Sequence, residues 1–128
     1  LLSRGLGDVY KRQAIVSPSA KIGEGTVVMA GVVINADAKI GKHCIVNTGT
    51  SIDHECVVEN YCHIAPGVNI SGDTHVGEGT WVGVGSCVMQ GIKIGKNCMI
   101  GAGSVVVRDI PDGVVAYGNP CKVMRKNE

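Results

Sequence analysis

The sequence predicts an all-β fold built as a solenoid, in which one short repeat stacks on copies of itself. Every sixth residue from Val16 to Val106 is Val or Ile, sixteen times in succession without insertion or deletion. This period differs from the 3.6 of an α-helix and from the alternation of an isolated strand, so it requires a stacked repeat. The 19 glycines agree with this, because the corners of a solenoid need tight backbone turns.

Each hexad is expected to form one short strand followed by a bend, since its branched residue is often followed by glycine. Three strands closing a triangular coil use 18 residues, so the sixteen hexads give about five coils. Adjacent strands lie roughly 4.8 Å apart, which makes the prism about 25 Å long. Residues 18 apart in sequence then stack in columns. The glycines that follow the branched residue are Gly23, Gly41, Gly77, Gly83, Gly95 and Gly101.

The hexads divide the chain into three parts. Residues 1–13 keep neither the hexad nor a helical face, so we expect an unstructured or non-native arm. Residues 14–110 form the β-helix. The hexad fails at Asp109–Gly113, a turn signal, and residues 111–128 are therefore expected to form a C-terminal loop and tail.

Composition excludes several functions. The net charge is +1 and there is no dense basic run, which argues against nucleic-acid binding. No apolar stretch approaches the roughly 20 residues that span a bilayer, so we expect a soluble protein without a membrane partner. Four of the six cysteines occupy the fifth place of their hexads, beside mostly small residues, and are expected to be small buried side chains. This cysteine usage and the lack of a secretory signal favour the cytoplasm.

The hexads resemble the left-handed parallel β-helix of the hexapeptide-repeat acyltransferases over residues 14–125. Residues 81–85, Trp-Val-Gly-Val-Gly, followed by residues 91–95, resemble the transferase signature of that family. Residues 117–125 resemble its exit from the helix, where a Gly-x-Pro-Ala-Lys loop lies near the coenzyme A nucleotide. The resemblance alone implies the left hand and places Lys122 near the coenzyme; Cys121 replaces the usual Ala.

Residues 47–56 and 61–67 are closely similar to one subgroup, the sialic acid O-acetyltransferases and bacterial UDP-amino-sugar N-acetyltransferases. In that subgroup the histidine of an Asp-His-Glu/Asp-Cys run is the general base, the next acid raises its basicity, and a histidine nine residues later contacts the acetyl group. The resemblance therefore implies these roles for His54, Glu55 and His63. Histidine suits a proton acceptor because its unperturbed pKa is about 6.5.

The same resemblance assigns further contacts. It implies coenzyme contacts at Gly72, Val84 and Ala102, with Ala102 standing where some relatives have Gly, and it assigns Asn47 and Asp53 to the acceptor. The stacking of residues 18 apart, called the column rule below, places Gly72 over His54. A residue without a side chain therefore lies over the proposed base.

The two histidines are half a coil apart and should face different directions. A homotrimer would place His54 of one prism opposite His63 of the next, and the subgroup is trimeric with sites between subunits. The resemblance implies direct transfer of acetyl from acetyl-CoA to an amine or hydroxyl of a sugar or sugar nucleotide, with no metal.

Three alternatives remain open. The acceptor is a small non-sugar molecule such as serine, or the β-helix is a non-catalytic scaffold, or the four histidines hold zinc as in the gamma-type carbonic anhydrases. Within one chain the histidine spacing is too wide for shared zinc ligation. The subgroup usually carries an N-terminal nucleotide-sugar domain, so we expect either a fragment or a short form that recognises its acceptor otherwise.

Overall fold

The computed structural model of the chain describes the backbone of residues 9–10 and the whole of residues 13–128. These residues form short strands and no helix, and so contain no helix able to cross a membrane. In chain order the strands are β1 (Val9–Tyr10), β2 (Ile15–Val16), β3 (Lys21–Ile22), β4 (Val27–Val28), β5 (Val33–Ile34), β6 (Lys39–Ile40), β7 (Ile45–Val46), β8 (Ser51–Ile52), β9 (Val57–Val58), β10 (His63–Ile64), β11 (Asn69–Ile70), β12 (His75–Val76), β13 (Trp81–Val82), β14 (Cys87–Val88), β15 (Lys93–Ile94), β16 (Met99–Ile100), β17 (Val105–Val106), β18 (Val114–Tyr117) and β19 (Lys122–Lys126).

Within β1–β17 the paired strands are three places apart in the chain, and the three resulting sheets form the faces of a prism. Sheet A has the order β1-β4-β7-β10-β13-β16-β18-β19, sheet B the order β17-β14-β11-β8-β5-β2, and sheet C the order β15-β12-β9-β6-β3. The pairing is parallel and in register at 18 residues, as where His63 lies between Ile45 and Trp81. The predicted parallel β-helix with an 18-residue coil is confirmed.

The β-helix has about six turns rather than the expected five. At its start Val9–Tyr10, within the segment expected to be an arm, pairs with β4. Residues 1–8 and 11–12 lie outside the described part of the chain. At its end the segment expected to be a loop and tail contains β18, parallel to β16, and β19, antiparallel to β18. The division of the chain at residues 13 and 110 stays a prediction.

The core consists of the repeated branched residues and the small residues that precede each strand. Every hexad Val or Ile from Val28 to Val106 is buried, while the residue before it faces outward. The fifth-place cysteines Cys44, Cys56, Cys62 and Cys98 are free and buried, as predicted, and burial raises the pKa of Cys56. Threonine hydroxyls in the same position donate to carbonyl groups of the next coil, as where Thr50 Oγ1 donates to the Ala65 carbonyl at 2.9 Å. The interior is therefore narrow, and chemistry is confined to the outer surface.

The three edges of the prism, named corners AB, BC and CA after the sheets they join, each repeat one backbone conformation. At nearly every corner one residue per coil has a positive φ, the left-handed region that glycine adopts without strain. From Gly31 onward corner AB uses glycine in each coil, but corners BC and CA also place larger residues there, among them Glu55 at φ 58° and Tyr61 at φ 61°. These exceptions mark the two corners where side chains are held outward.

Candidate active site

His54 and Glu55 form the turn at corner BC, between β8 and β9. Their side chains are 48% and 61% exposed, and His54 Nδ1 lies 3.5 Å from Glu55 Oε1. Glu55 holds the positive-φ place of this turn. A carboxylate at this distance stabilises the imidazolium that forms when His54 accepts a proton. The pair predicted from the sequence is thus a solvent-accessible histidine with an acidic partner.

Asp53 stabilises this turn through two hydrogen bonds. Its Oδ1 accepts the His54 backbone N–H at 2.7 Å and the Asn35 side-chain amide at 3.1 Å. Both hydrogen bonds hold the pKa of Asp53 below its ordinary value, the bond from the His54 backbone having the larger effect. No sequence motif singles out Asn35, although it precedes Asp53 by one 18-residue coil. Asp53, expected to contact the acceptor, therefore also orients the backbone that carries His54.

Gly72 lies on the next coil, directly beside the His54 ring. A Cβ atom at Gly72 would be 2.5 Å from His54 Nε2 and 2.6 Å from Cε1, which is closer than any real contact. The two turns are joined by the Asp73 N–H, which donates to the His54 carbonyl at 3.0 Å. The stacking that the column rule predicts is confirmed, and the missing side chain is what allows the imidazole to lie there.

His63 begins β10 on the outer surface of sheet A, away from corner BC. Its ring packs edge-on against Trp81 of the next coil, with centroids 4.7 Å apart and planes at 79°. Its Nε2 is buried and has no hydrogen-bond partner among the described residues. Trp81 is itself 51% exposed. In the sequence, Trp81 stands out only as the first residue of the transferase signature. It nevertheless follows His63 by 18 residues, so the column spacing places it beside that histidine.

The other predicted residues occupy two further places. Val84 and Ala102 stack at corner AB, where Gly103 N–H donates to the Val84 carbonyl at 2.7 Å. Ala102 has no positive φ, so alanine replaces the glycine of some relatives without strain. Asn47, at the same corner, accepts the Thr48 backbone N–H at 2.7 Å. Lys122 begins β19 beside a cavity of about 290 Å³.

Within one chain the predicted site residues lie on different parts of the prism surface. Asp53, His54, Glu55 and Gly72 share corner BC, whereas Val84 and Ala102 share corner AB, and His63 lies on sheet A. The expected site shared between two subunits would therefore require corner BC of one prism to face sheet A of another. The assignments of individual residues to base, coenzyme and acceptor stay predictions.

A second histidine–carboxylate pair lies on sheet C, where His75 Nε2 contacts Glu59 Oε2. The 18-residue repeat does not predict this pair, because the two residues are 16 apart and contact each other diagonally rather than within a column. His43 lies at corner CA, so the four histidines occupy four different parts of the prism surface. Within the described ranges no three His, Cys, Asp or Glu side chains come together as metal ligands.

Comparison with known proteins gives one family and several solved structures. Residues 19–54 and 73–108 match the model described as bacterial transferase hexapeptide (six repeats). A His-to-Asn mutant of perosamine N-acetyltransferase from Caulobacter crescentus, in complex with CoA and GDP-perosamine, is 46% identical, with a TM-score of 0.92, over 93% of this chain and 57% of that chain. The comparison with curated proteins gives no match.

Two further solved structures have the same fold. The acetyltransferase domain of PglB from Neisseria gonorrhoeae, in complex with acetyl coenzyme A, is 43% identical, with a TM-score of 0.91, over 93% of this chain and 58% of that one. WeeI from Acinetobacter baumannii is 28% identical, with a TM-score of 0.87, over 90% and 57%. The chain thus spans just over half the length of each of these three solved chains.

Proposed function

Because this chain belongs to the bacterial transferase hexapeptide family, we propose that it transfers acetyl from acetyl-CoA to an amine or hydroxyl of a sugar or sugar nucleotide. The observation that carries the proposal is the exposed His54–Glu55 pair lying against Gly72. Two similar structures support the ligand classes, since one holds CoA with GDP-perosamine and another holds acetyl coenzyme A.

The proposed reaction is direct transfer. His54 removes the proton from the acceptor amine or hydroxyl as that group attacks the thioester carbonyl, and the Glu55 carboxylate stabilises the resulting imidazolium. The new N–C or O–C bond forms, the C–S bond breaks, and the departing thiolate takes a proton from His54. His63 or a nearby backbone N–H donates to the oxyanion. Geometry of this kind needs no covalent acyl-enzyme.

We propose a homotrimer in which His54 of one subunit and His63 of its neighbour serve one site. The outer surface of sheet A supports such packing, because three exposed apolar side chains share a column with His63 there, those of Ile45, Trp81 and Met99. These side chains are 41%, 51% and 37% exposed, and covering them removes apolar surface from water.

Mixing two inactive variants tests the shared site. We expect His54→Ala and His63→Ala proteins each to be nearly inactive, and their co-refolded mixture to regain about one quarter of wild-type activity, because a random pairing gives that share of intact sites. The measurement is thiol release from acetyl-CoA by the mixture and by each variant alone. A mixture no more active than its components, although mass spectrometry shows mixed oligomers, would place both histidines of a site in one chain.

An acceptor screen tests the reaction itself. We expect thiol release from acetyl-CoA with an amino sugar, either linked to a nucleotide or sialic-acid-like, and no release above background without an acceptor. The panel includes GDP- and UDP-linked amino sugars, their N-acetylated forms as controls that lack the amine, sialic acid and serine. Release with serine but with none of the sugars would contradict the sugar assignment.

We also propose that the reaction takes place in the cytoplasm. The cysteines among the described residues are free thiols, and all but Cys87 are buried. Buried thiols of this kind persist where the cell keeps cysteine reduced.

A further inference from the structure

An exposed aromatic pair at corner CA has no part in the site described above. His43 and Tyr61 occupy successive coils, and their rings stack with centroids 5.5 Å apart and planes at 15°. Tyr61 is 58% exposed, so its ring adds little to the core. The chain has only four Tyr and Trp residues and no Phe, which makes a stacked aromatic pair on the surface unusual for this sequence.

The backbone at this position disfavours a bulky residue. Tyr61 has a φ of 61° and His43 a φ of 55°, both in the left-handed region. A side chain as large as tyrosine is strained there, whereas glycine and asparagine are tolerated. Other coils have Gly25, Gly79 and Asn97 at the same place of the turn. Neither the turn conformation nor core packing explains why a tyrosine stands at position 61. We therefore look for a role of its ring at the surface.

One face of the Tyr61 ring is left uncovered by its column. The ring leans towards His43, and the residue one coil further on is Gly79, which has no side chain. No Tyr61 atom lies within 4 Å of the place where a Gly79 Cβ would be; only the Asn97 carboxamide reaches it. That carboxamide makes no hydrogen bond to any described residue. Corner CA thus presents an aromatic face with an unengaged amide beyond it.

This surface lies next to the predicted acetyl contact. Tyr61 precedes His63 by two residues, so their Cα atoms are at most about 7 Å apart. Cys62 between them is buried, which leaves Tyr61 and His63 as outward-facing neighbours. An acceptor amine has to come within about 3–3.5 Å of the acetyl carbon. The sugar ring that carries the amine consequently lies within reach of Tyr61, whereas the adenine of coenzyme A is at the far end of the pantetheine arm.

We propose that Tyr61, supported by His43, is a binding platform for the apolar face of the acceptor's pyranose ring, with the Asn97 carboxamide hydrogen-bonding a ring hydroxyl. A pyranose has one face of C–H groups that packs on an aromatic ring and removes apolar surface from water. This inference rests on the proposed function and names the residues that recognise its acceptor.

Because the Tyr61 backbone is strained, replacing Tyr61 with glycine can separate a loss of acceptor binding from a loss of stability. Tyr61→Gly removes the ring and also relieves the backbone, so the fold should keep its Tm or gain slightly. We expect the KM for the sugar acceptor to rise about tenfold or more, with the KM for acetyl-CoA unchanged, while Tyr61→Phe keeps wild-type values. An unchanged acceptor KM in Tyr61→Gly, or an equal rise in both KM values, overturns the platform.

A binding measurement separates this inference from the proposed reaction. Saturation-transfer difference NMR with the methyl glycoside of an amino sugar should show saturation of the ring C–H protons by the wild-type protein and by Tyr61→Phe, and a loss in Tyr61→Gly. That result with no acetyl transfer supports the platform and contradicts the proposed function. Absence of saturation transfer from the wild-type protein, or an equal signal in Tyr61→Gly, contradicts the platform even if acetyl transfer is observed.

Discussion

Replacing His54 with alanine should lower kcat by about 10²- to 10⁴-fold, because general-base catalysis contributes an acceleration of that size. The residue lies in an exposed turn and its side chain supports no part of the core, so the Tm should stay within about 2 °C of wild type. Acetyl-CoA affinity should also be unchanged, since the residues predicted to contact the coenzyme are intact. Steady-state thiol release measures kcat, and calorimetric titration measures coenzyme affinity.

His75→Ala is the matched control for that experiment. His75 is 42% exposed and contacts the carboxylate of Glu59, so it resembles His54 in exposure and in having an acidic partner. It begins β12 on sheet C, three residues after Gly72, and its ring contacts Glu59. It has no predicted role in the transfer, so its loss should leave kcat within about twofold of wild type. Equal activity of the two variants would remove His54 from the role of base, and a large loss for His75→Ala alone would move the site to sheet C.

The regular part of the fold could be predicted because hexads of this kind have one solution: the branched residue points inward and the third strand closes the coil. The ends could not, because the residue type changes at the start and the register changes at the end. At the start, Tyr10 stands six residues before Val16 but breaks the Val/Ile pattern, although Val9–Tyr10 still pairs with β4. At the end Met99 pairs with Val115, 16 residues later, so the 18-residue rule no longer locates partners.

In the candidate site, too, contacts within a column could be predicted from the sequence, whereas other contacts could not. Gly72 over His54 could be predicted because both lie in one column. The Trp81–His63 and Asn35–Asp53 contacts follow the same rule, although no sequence motif singles them out. Ring orientation and diagonal contacts depend on rotamers and on the width of a coil, which periodicity leaves open.

Replacing Gly72 with alanine should reduce kcat almost as much as removing the base itself, by about 10² or more, while leaving every titratable group in place. The added Cβ would lie 2.5 Å from His54 Nε2, so the ring has to move by about 1 Å, and a misplacement of that size costs roughly 10²-fold in rate. Gly72 has no positive φ, so the backbone itself accepts alanine. The measurement is kcat across pH. Its pH dependence should keep the wild-type form at a lower level, since the base is displaced rather than lost.

Gln90→Ala is the control, because Gln90 follows Gly72 by one coil at the same place of corner BC. Ala36, one coil before His54, shows that this turn already accommodates an alanine side chain. Gln90→Ala should leave kcat unchanged, which would attribute the effect of Gly72→Ala to the space beside His54 rather than to the turn. Full activity of Gly72→Ala would mean that the His54 ring works from another rotamer, away from the next coil. Loss of acetyl-CoA affinity with an unchanged kcat would instead support the backbone of Gly72 as a coenzyme contact.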